Sequence, residues 1–211
     1  IVMNAKPLYA LLSVAIPKDY TNEDLKKLAS GFKKAAKQFD IKIIGGDTIA
    51  NEKLDISVTI ISKTSNPIYR NGVKKGDLLC FTGDLGSCKK DLEKLFRNEK
   101  ISKKSKFLKP ILNPEFFYEI SSYITSSMDI SDGLFFELER LSKASGVGFE
   151  FFNQFDESIG TSGEEYEILF SFNEKYLKKI EKIAKKHKVK LNIFAKAIKG
   201  EYRTDAKNHH F

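Results

Sequence analysis

The chain is poor in several chemistries. Of its 211 residues, two are cysteine and three are histidine. Cys80 and Cys88 lack a CxxC spacing and have no second pair beside them, so a cysteine zinc site is excluded. Both read as small buried hydrophobes. The histidines have no paired nucleophile, which leaves a Ser-His-Asp mechanism without support. No apolar run is long enough to span a bilayer. The opening Ile1-Val2-Met3-Asn4-Ala5-Lys6-Pro7 lacks the basic-then-apolar order of a signal peptide. Sparse cysteine without an export signal leads us to expect a reducing cytoplasm. A start without an initiator methionine leads us to expect residues upstream of Ile1.

Arginine is scarce too. The net charge of +8 comes overwhelmingly from lysine. The lysines recur in helical segments mixed with glutamate, as at Lys178-Lys179 and Lys185-Lys186, which describes a solvated face. No arginine stripe interleaved with aromatics is present, so neither nucleic acid nor a membrane is the expected partner. Thr82-Gly83-Asp84-Leu85-Gly86 is glycine-rich but lacks the following Gly-Lys-Ser/Thr of a P-loop, and no G-x-G-x-x-G follows a strand.

What remains suits a globular chain. With 41% hydrophobic and 30% charged residues, it can bury one large core or two small ones. The run 8–16, stopped by Pro17, reads as a buried strand. Thr21 with Asp24 three residues on forms a capping box, and Leu25, Leu28, Phe32, Ala35, Ala36 and Phe39 follow at helical spacing. A short strand over 41–44 leads into Gly45-Gly46-Asp47-Thr48, read as a turn. Leu54, Ile56, Val58 and Ile60 alternate along a half-buried strand. Further strands are expected over 77–82, 149–152, 166–172 and 189–198. Helices are expected over 89–96, 114–124 and 134–142, with another after Asn173. These patterns give an α+β fold, divided into 1–66 and 67–211.

Met128-Asp129-Ile130-Ser131-Asp132-Gly133-Leu134 carries the most chemistry. A strand hands over to a helix there, with two carboxylates and a hydroxyl at the junction. Two acids so close repel unless a cation lies between them, and a helix N-terminus suits phosphate. The same residues also suit a plain N-cap, and both readings stand. Asp47 could hold a metal and Thr48 could touch phosphate, although Gly and Asp are ordinary turn formers. Arg70 could fork a phosphate or lie idle beside a turn. Ser162-Gly163-Glu164-Glu165-Tyr166-Glu167 is either an acidic substrate contact or a solvated loop.

Taken together, Met128 to Leu134, Gly45 to Thr48 and Glu164 to Phe170 resemble the thiamine-monophosphate kinase family. That family lies in the aminoimidazole-ribonucleotide synthetase-like superfamily. Arg70 to Asp77, Thr82 to Gly86 and the terminal His209-His210-Phe211 resemble further motifs in the same order, so the likeness covers nearly the whole chain. It implies an N-terminal α+β dimerisation domain, incomplete here, followed by a larger α/β sandwich domain. It implies transfer of the γ-phosphoryl of ATP to thiamine monophosphate, with several Mg²⁺ ions, in a homodimer. It makes Asp47, Asp129 and Asp132 metal ligands, with the last two as catalytic centres, and sets Thr48, Ser131 and Arg70 on ATP and phosphate. Glu164, Glu165, Tyr166 and Phe211 fall near the thiamine moiety. Two departures stand out. The family's Gly-Gly-Glu-Asp reads Ser162-Gly163-Glu164-Glu165 here, and an acidic cluster is expected before Ile1. Alternatives within the superfamily are a selenophosphate or aminoimidazole-ribonucleotide synthetase, or a relative that binds metal and nucleotide without turnover.

Overall fold

The computed structural model describes residues 1–206, which divide into two compact units. The first is Ala5–Asn66 together with Ile1. The second is Val2–Asn4 together with the chain from Pro67 onward.

The first unit is a three-stranded sheet with one helix. β1 (Lys6–Pro17) lies between β2 (Lys42–Asn51), which is parallel to it, and β3 (Asp55–Lys63), which is antiparallel. α1 (Asn22–Gln38) joins β1 to β2 and opens on the expected capping box: Thr21 Oγ1 accepts from Asp24 N–H, and Asp24 accepts from Thr21 N–H. Leu25, Leu28 and Phe32 of α1 gather with Leu12, Val14 and Ile16, so the even-numbered residues of β1 face the helix. By strand alternation, Tyr9, Leu11, Ser13 and Ala15 face the other way.

Three expectations need correction here. The run 8–16 does form a strand, β1, but only Ala10 and Val14 in it are buried. Gly45 to Thr48 is not a turn, because β2 runs straight through it. The reason is tertiary. A Cβ on Gly46 would lie 1.8 Å from the Leu12 carbonyl oxygen, so the glycine lets β2 stay close against β1 past the irregularity between Ala10 and Leu11. The half-buried strand at 54–61 is present as β3, but all nine of its residues are exposed.

The second unit is built on a five-stranded antiparallel sheet of order β5-β7-β4-β8-β6. Its strands are β4 (Asp77–Thr82), β5 (Ile124–Ile130), β6 (Gly148–Phe151), β7 (Glu167–Asn173) and β8 (Leu191–Ile198). Central β4 is buried at every residue, as a strand covered on both faces must be. One core cluster joins Leu79, Phe81, Met128, Ile130, Leu169 and Phe194 to Leu134, Leu138 and Leu141 of α4 (Leu134–Ser145). α3 (Pro114–Ile120) and α6 (Leu177–His187) pack on each other and bury Phe116, Phe117, Ile180 and Ile183. α2 (Ser87–Phe96) follows β4, and a one-turn helix not foreseen in the sequence, α5 (Glu157–Gly160), precedes β7. Asn173 caps a short 3-10 turn ahead of α6. His187 closes α6 and bonds Glu119 across to α3 at 2.7 Å. Both cysteines are free and buried. Among the described residues no helix is long and apolar enough to cross a membrane.

Candidate metal and phosphate site

The site begins where β5 ends. Asp129 lies in β5 opposite Ile168 of β7, and the strand stops at Ile130. Ser131 and Asp132 form the turn that follows, and α4 starts at Leu134. The loop before β7 folds back on this turn: Glu164 N–H donates to the Ser131 carbonyl (2.7 Å) and Tyr166 N–H to the Ile130 carbonyl (2.8 Å). The loop achieves this with Glu164 and Tyr166 both in the left-handed region, at φ of 59° and 52°. Non-glycine residues take that conformation at a cost, and it concentrates at functional sites.

The simple N-cap reading is not what forms. The N-cap of α4 is Gly133, at φ 109°, with no side-chain capping bond. Instead the buried Glu137, one turn inside the helix, reaches back. Its Oε1 accepts from Asp132 N–H at 3.1 Å and from Ser131 Oγ at 3.4 Å. Arg140 then holds Glu137 with Nη1 2.9 Å from both carboxylate oxygens, while its Nη2 lies 2.5 Å from Oδ2 of Asp132. Burial raises the Glu137 carboxyl, opposed by the Asp132 N–H and by Arg140, and the net shift is upward. Neither Glu137 nor Arg140 was singled out in the sequence. Their Glu-x-x-Arg spacing, which sets two side chains on one helix face, was the signal available.

Tyr166 reports how close the acids come. Its hydroxyl donates to Glu164 at 2.9 Å. Burial, then Glu164, then the Asp129 and Asp132 carboxylates push its phenol up to about 12. Asp129, Asp132 and Glu164 thus all act on the Tyr166 hydroxyl. Beside them a cleft of about 440 Å³ is lined by Leu92, Phe96, Phe107, Asp132, Thr161 and Glu164, among others.

Other predicted residues lie elsewhere. Glu165 has a different occupation from the substrate contact expected of it. It is buried, and its Oε1 accepts from Gly86 N–H (2.7 Å), Cys88 N–H (3.0 Å) and Ser162 Oγ (2.7 Å). A carboxylate on the first N–H groups of α2 is a stabilising end-cap. Lys106 Nζ lies 2.8 Å from the other oxygen, so protein donors claim both. Arg70 is exposed, and its turn is fixed to β5 through its carbonyl, which accepts from Ser126 and Ser145. Asp47 and Thr48 are exposed neighbours on β2 in the first unit and point to opposite sheet faces. Asp47 Oδ1 accepts from Thr48 N–H at 2.8 Å. Phe211 lies outside the described residues.

Oxygen-only donors of this kind fit a hard cation such as Mg²⁺. A guanidinium seated 2.5 Å from Asp132 shows that this carboxylate accepts a positive partner. Even so, no three His, Cys, Asp or Glu side chains among the described residues are grouped to hold a metal ion, so Asp129 and Asp132 would be part of a coordination sphere.

Comparison with known proteins agrees with the architecture. Residues 1–64 match the family model for AIR synthase related protein, N-terminal domain. Over 199 residues the chain is 32% identical to the thiamine-monophosphate kinase of Nitrosopumilus maritimus, a match covering 85% of this chain and 64% of that relative. The solved thiamine monophosphate kinase from Aquifex aeolicus superposes with a TM-score of 0.84 at 23% identity, over 98% of this chain and 76% of that one. The structure described as AaThiL complexed with AMPPCP and TMP superposes at 0.80 and 23% identity, over 100% of this chain and 74% of that one. The family model thus matches residues 1–64, and the superpositions show that the chain shares the fold of these kinases over nearly its whole length. Its relatives in sequence include several thiamine-monophosphate kinases. The chain spans less than two thirds of the length of the first of them.

Proposed function

We propose that the chain serves the phosphorylation of thiamine monophosphate to thiamine diphosphate at the expense of ATP. The observation that carries this reading is the junction at the end of β5. Asp129, Ser131 and Asp132 stand there with Glu164 and Tyr166 folded over them, in a chain whose relatives are thiamine-monophosphate kinases. In the proposed reaction an oxygen of the acceptor phosphate forms a bond to the γ-phosphorus, and the bond to the β-phosphate oxygen breaks to release ADP. Both reactants are anions, so positioning and charge neutralisation dominate the barrier.

Asp129 and Asp132 would hold Mg²⁺. When bound, the ion screens the phosphate charges and stabilises the transferring group. Ser131 would donate its hydroxyl to phosphate, and Arg70 would neutralise the nucleotide. The first turn of α4 lacks a side-chain cap; its Phe136 N–H donates to the Gly133 carbonyl, and the N–H groups ahead of it would meet anionic oxygen. Glu164 and Tyr166 would face the thiamine moiety. The adjoining cleft, with Phe96, Phe107 and acidic Glu93, suits a cationic heteroaromatic ring. We give Glu165 a supporting role, holding the start of α2 in place.

We further propose a cytoplasmic homodimer formed through the sheet of the first unit. Tyr9, Leu11, Ile49 and Ile61 share the sheet face turned away from α1 and are all exposed. An open apolar face of this kind marks an association surface. The test of the activity is ATP consumption with and without thiamine monophosphate, in Mg²⁺. We expect turnover only when both are present. Equal consumption without thiamine monophosphate would sink the reading.

A further inference from the structure

Arg140 has no part in the function proposed above, yet its guanidinium reaches the Asp132 carboxylate of that site. Its guanidinium is shared between two acids of different standing. Nη1 is fixed to both oxygens of Glu137, which is fully buried and sits on the same helix three residues earlier. Nη2 reaches out to Asp132, whose side chain is partly open, and lies 2.5 Å from its Oδ2. One guanidinium nitrogen thus serves both oxygens of a buried carboxylate, a charge-assisted contact shielded from water. The contact to Asp132 is to a carboxylate that solvent and ions can reach. Arg140 is itself 41% exposed, so an ion or anion can approach its outer nitrogen from solvent.

A positive charge thus stands beside Asp132, at the carboxylate a cation would take. A divalent ion coordinating Asp132 would be repelled by a guanidinium at that distance, so the two compete for one carboxylate. Once Asp132 is taken, Nη2 loses its acceptor while Nη1 remains tied to Glu137. The freed N–H groups then face whatever anion the cation brings. Arginine suits phosphate oxygen in both charge and fork geometry.

We propose that Arg140 is a phosphate-binding residue of this site, parked on Asp132 until a divalent cation displaces it. The proposal rests on the phosphoryl-transfer reading, but it concerns cation and nucleotide alone. The test is therefore direct binding by the full chain, with no thiamine compound present. Mn²⁺ binding is read by the loss of the free-ion electron paramagnetic resonance signal. Nucleotide binding is read with a fluorescent ATP analogue in saturating Mn²⁺. Removing the competing charge in Arg140→Gln is expected to tighten Mn²⁺ binding roughly tenfold, and to weaken nucleotide binding by about the same factor. Arg140→Lys should recover part of the nucleotide affinity, because it restores charge without the fork. Arg140→Gln leaves Glu137 buried and unpaired. The double variant Glu137→Gln/Arg140→Gln removes both charges, and it serves if the single variant does not fold; the same two directions are expected. A structural role alone would not move cation and nucleotide affinity in opposite senses. The proposal is overturned if Mn²⁺ binds no more tightly to the folded variants than to the parent, if nucleotide affinity is unchanged, or if neither parent nor variant binds Mn²⁺. Loss of the thiamine monophosphate requirement would refute the kinase reading and leave these measurements standing.

Discussion

Lys106 and Glu165 are bound across the second unit, with Nζ 2.8 Å from Oε2, and the glutamate is fully buried. The same ammonium also lies 2.8 Å from Oε1 of Glu167, which is buried and takes the Thr82 hydroxyl at 2.6 Å. Lys106 belongs to the irregular stretch between α2 and α3, so this contact pins that stretch to the β4 and β7 strand ends. It also fixes the neighbouring Phe107, a wall of the cleft beside Asp132.

Removing Lys106 strands two buried carboxylates. Lys106→Met is expected to cost about 3–5 kcal/mol in urea unfolding, the range for breaking a buried pair from one side. Lys106→Arg should recover much of this. The pH dependence follows from both partners. Burial raises the Glu165 carboxyl, but Lys106, Ser162 and Cys88 N–H outweigh it and hold the group below its ordinary value. That contribution is complete above the unfolded-state value near 4.5 and is lost as pH falls through the lower folded value. Burial lowers Lys106, but its bonds to Glu165 and Glu167 outweigh that and raise it above 10.5. Its contribution is complete below that value and is lost as pH rises through the higher folded one. Stability should therefore plateau through neutral pH and fall at both ends, and Lys106→Met should flatten the alkaline fall.

Gly133 holds the junction itself. Its φ of 109° is strained for any side chain, and a Cβ there would lie 2.9 Å from the Gly160 carbonyl oxygen and 3.0 Å from Thr161 backbone atoms. Gly133→Ala is expected to destabilise the protein by about 1–3 kcal/mol in thermal or urea unfolding. Because the displaced backbone carries Asp132, cation binding should weaken with it. An unchanged melting temperature together with unchanged Mn²⁺ binding would show that the close approach is dispensable.

Contrasts of this kind show what the sequence made legible. Thr21 and Asp24 were readable because their capping bonds span three residues. The handover at Asp129 to Leu134 was readable for the same reason, since strand, acids, glycine and helix are contiguous. Gly45 to Thr48 was misread because glycine and aspartate serve a turn or a tightly approached strand equally well. Only the Leu12 carbonyl, on a different strand, decides between them. Glu165 could not be read either. Its acceptors' partners at Gly86 and Cys88 lie 79 and 77 residues away, so a buried cap and a solvated acid look identical along the chain. Arg140 differs from both: its i, i+3 spacing to Glu137 was visible, but its reach back to Asp132 depends on the turn at Gly133.

Asp129→Asn separates a metal ligand from a scaffold residue. Asp129 sits within β5, whose ladder to β7 is made by the backbone and survives the substitution. The variant should therefore melt close to the parent. If Asp129 holds Mg²⁺ against phosphate, ATP turnover with thiamine monophosphate should fall by about 100-fold or more, the scale for deleting one electrostatic contact to the transition state. Unchanged Mg²⁺-dependent turnover in a folded variant would remove Asp129 from the site.

The sheet face of the first unit makes a separate prediction about assembly. Leu11 lies mid-strand on the central β1, between Gly45 of β2 and Thr59 of β3, and is 38% exposed. Ile49, on the same face, is 60% exposed. In a monomer, replacing either by lysine would add a solvated charge at little cost, because surface substitutions away from special features shift stability by only about 0.5 kcal/mol. In a dimer closed through this face, the same lysine would be buried opposite its own copy, since a two-fold interface brings the same patch to both sides. Two like charges would then be desolvated together. Light scattering after gel filtration should report a dimer for the parent chain and a monomer for Leu11→Lys and Ile49→Lys, with far-ultraviolet circular dichroism unchanged. A parent chain that runs as a monomer, or lysine variants that stay dimeric, would exclude this face as the interface.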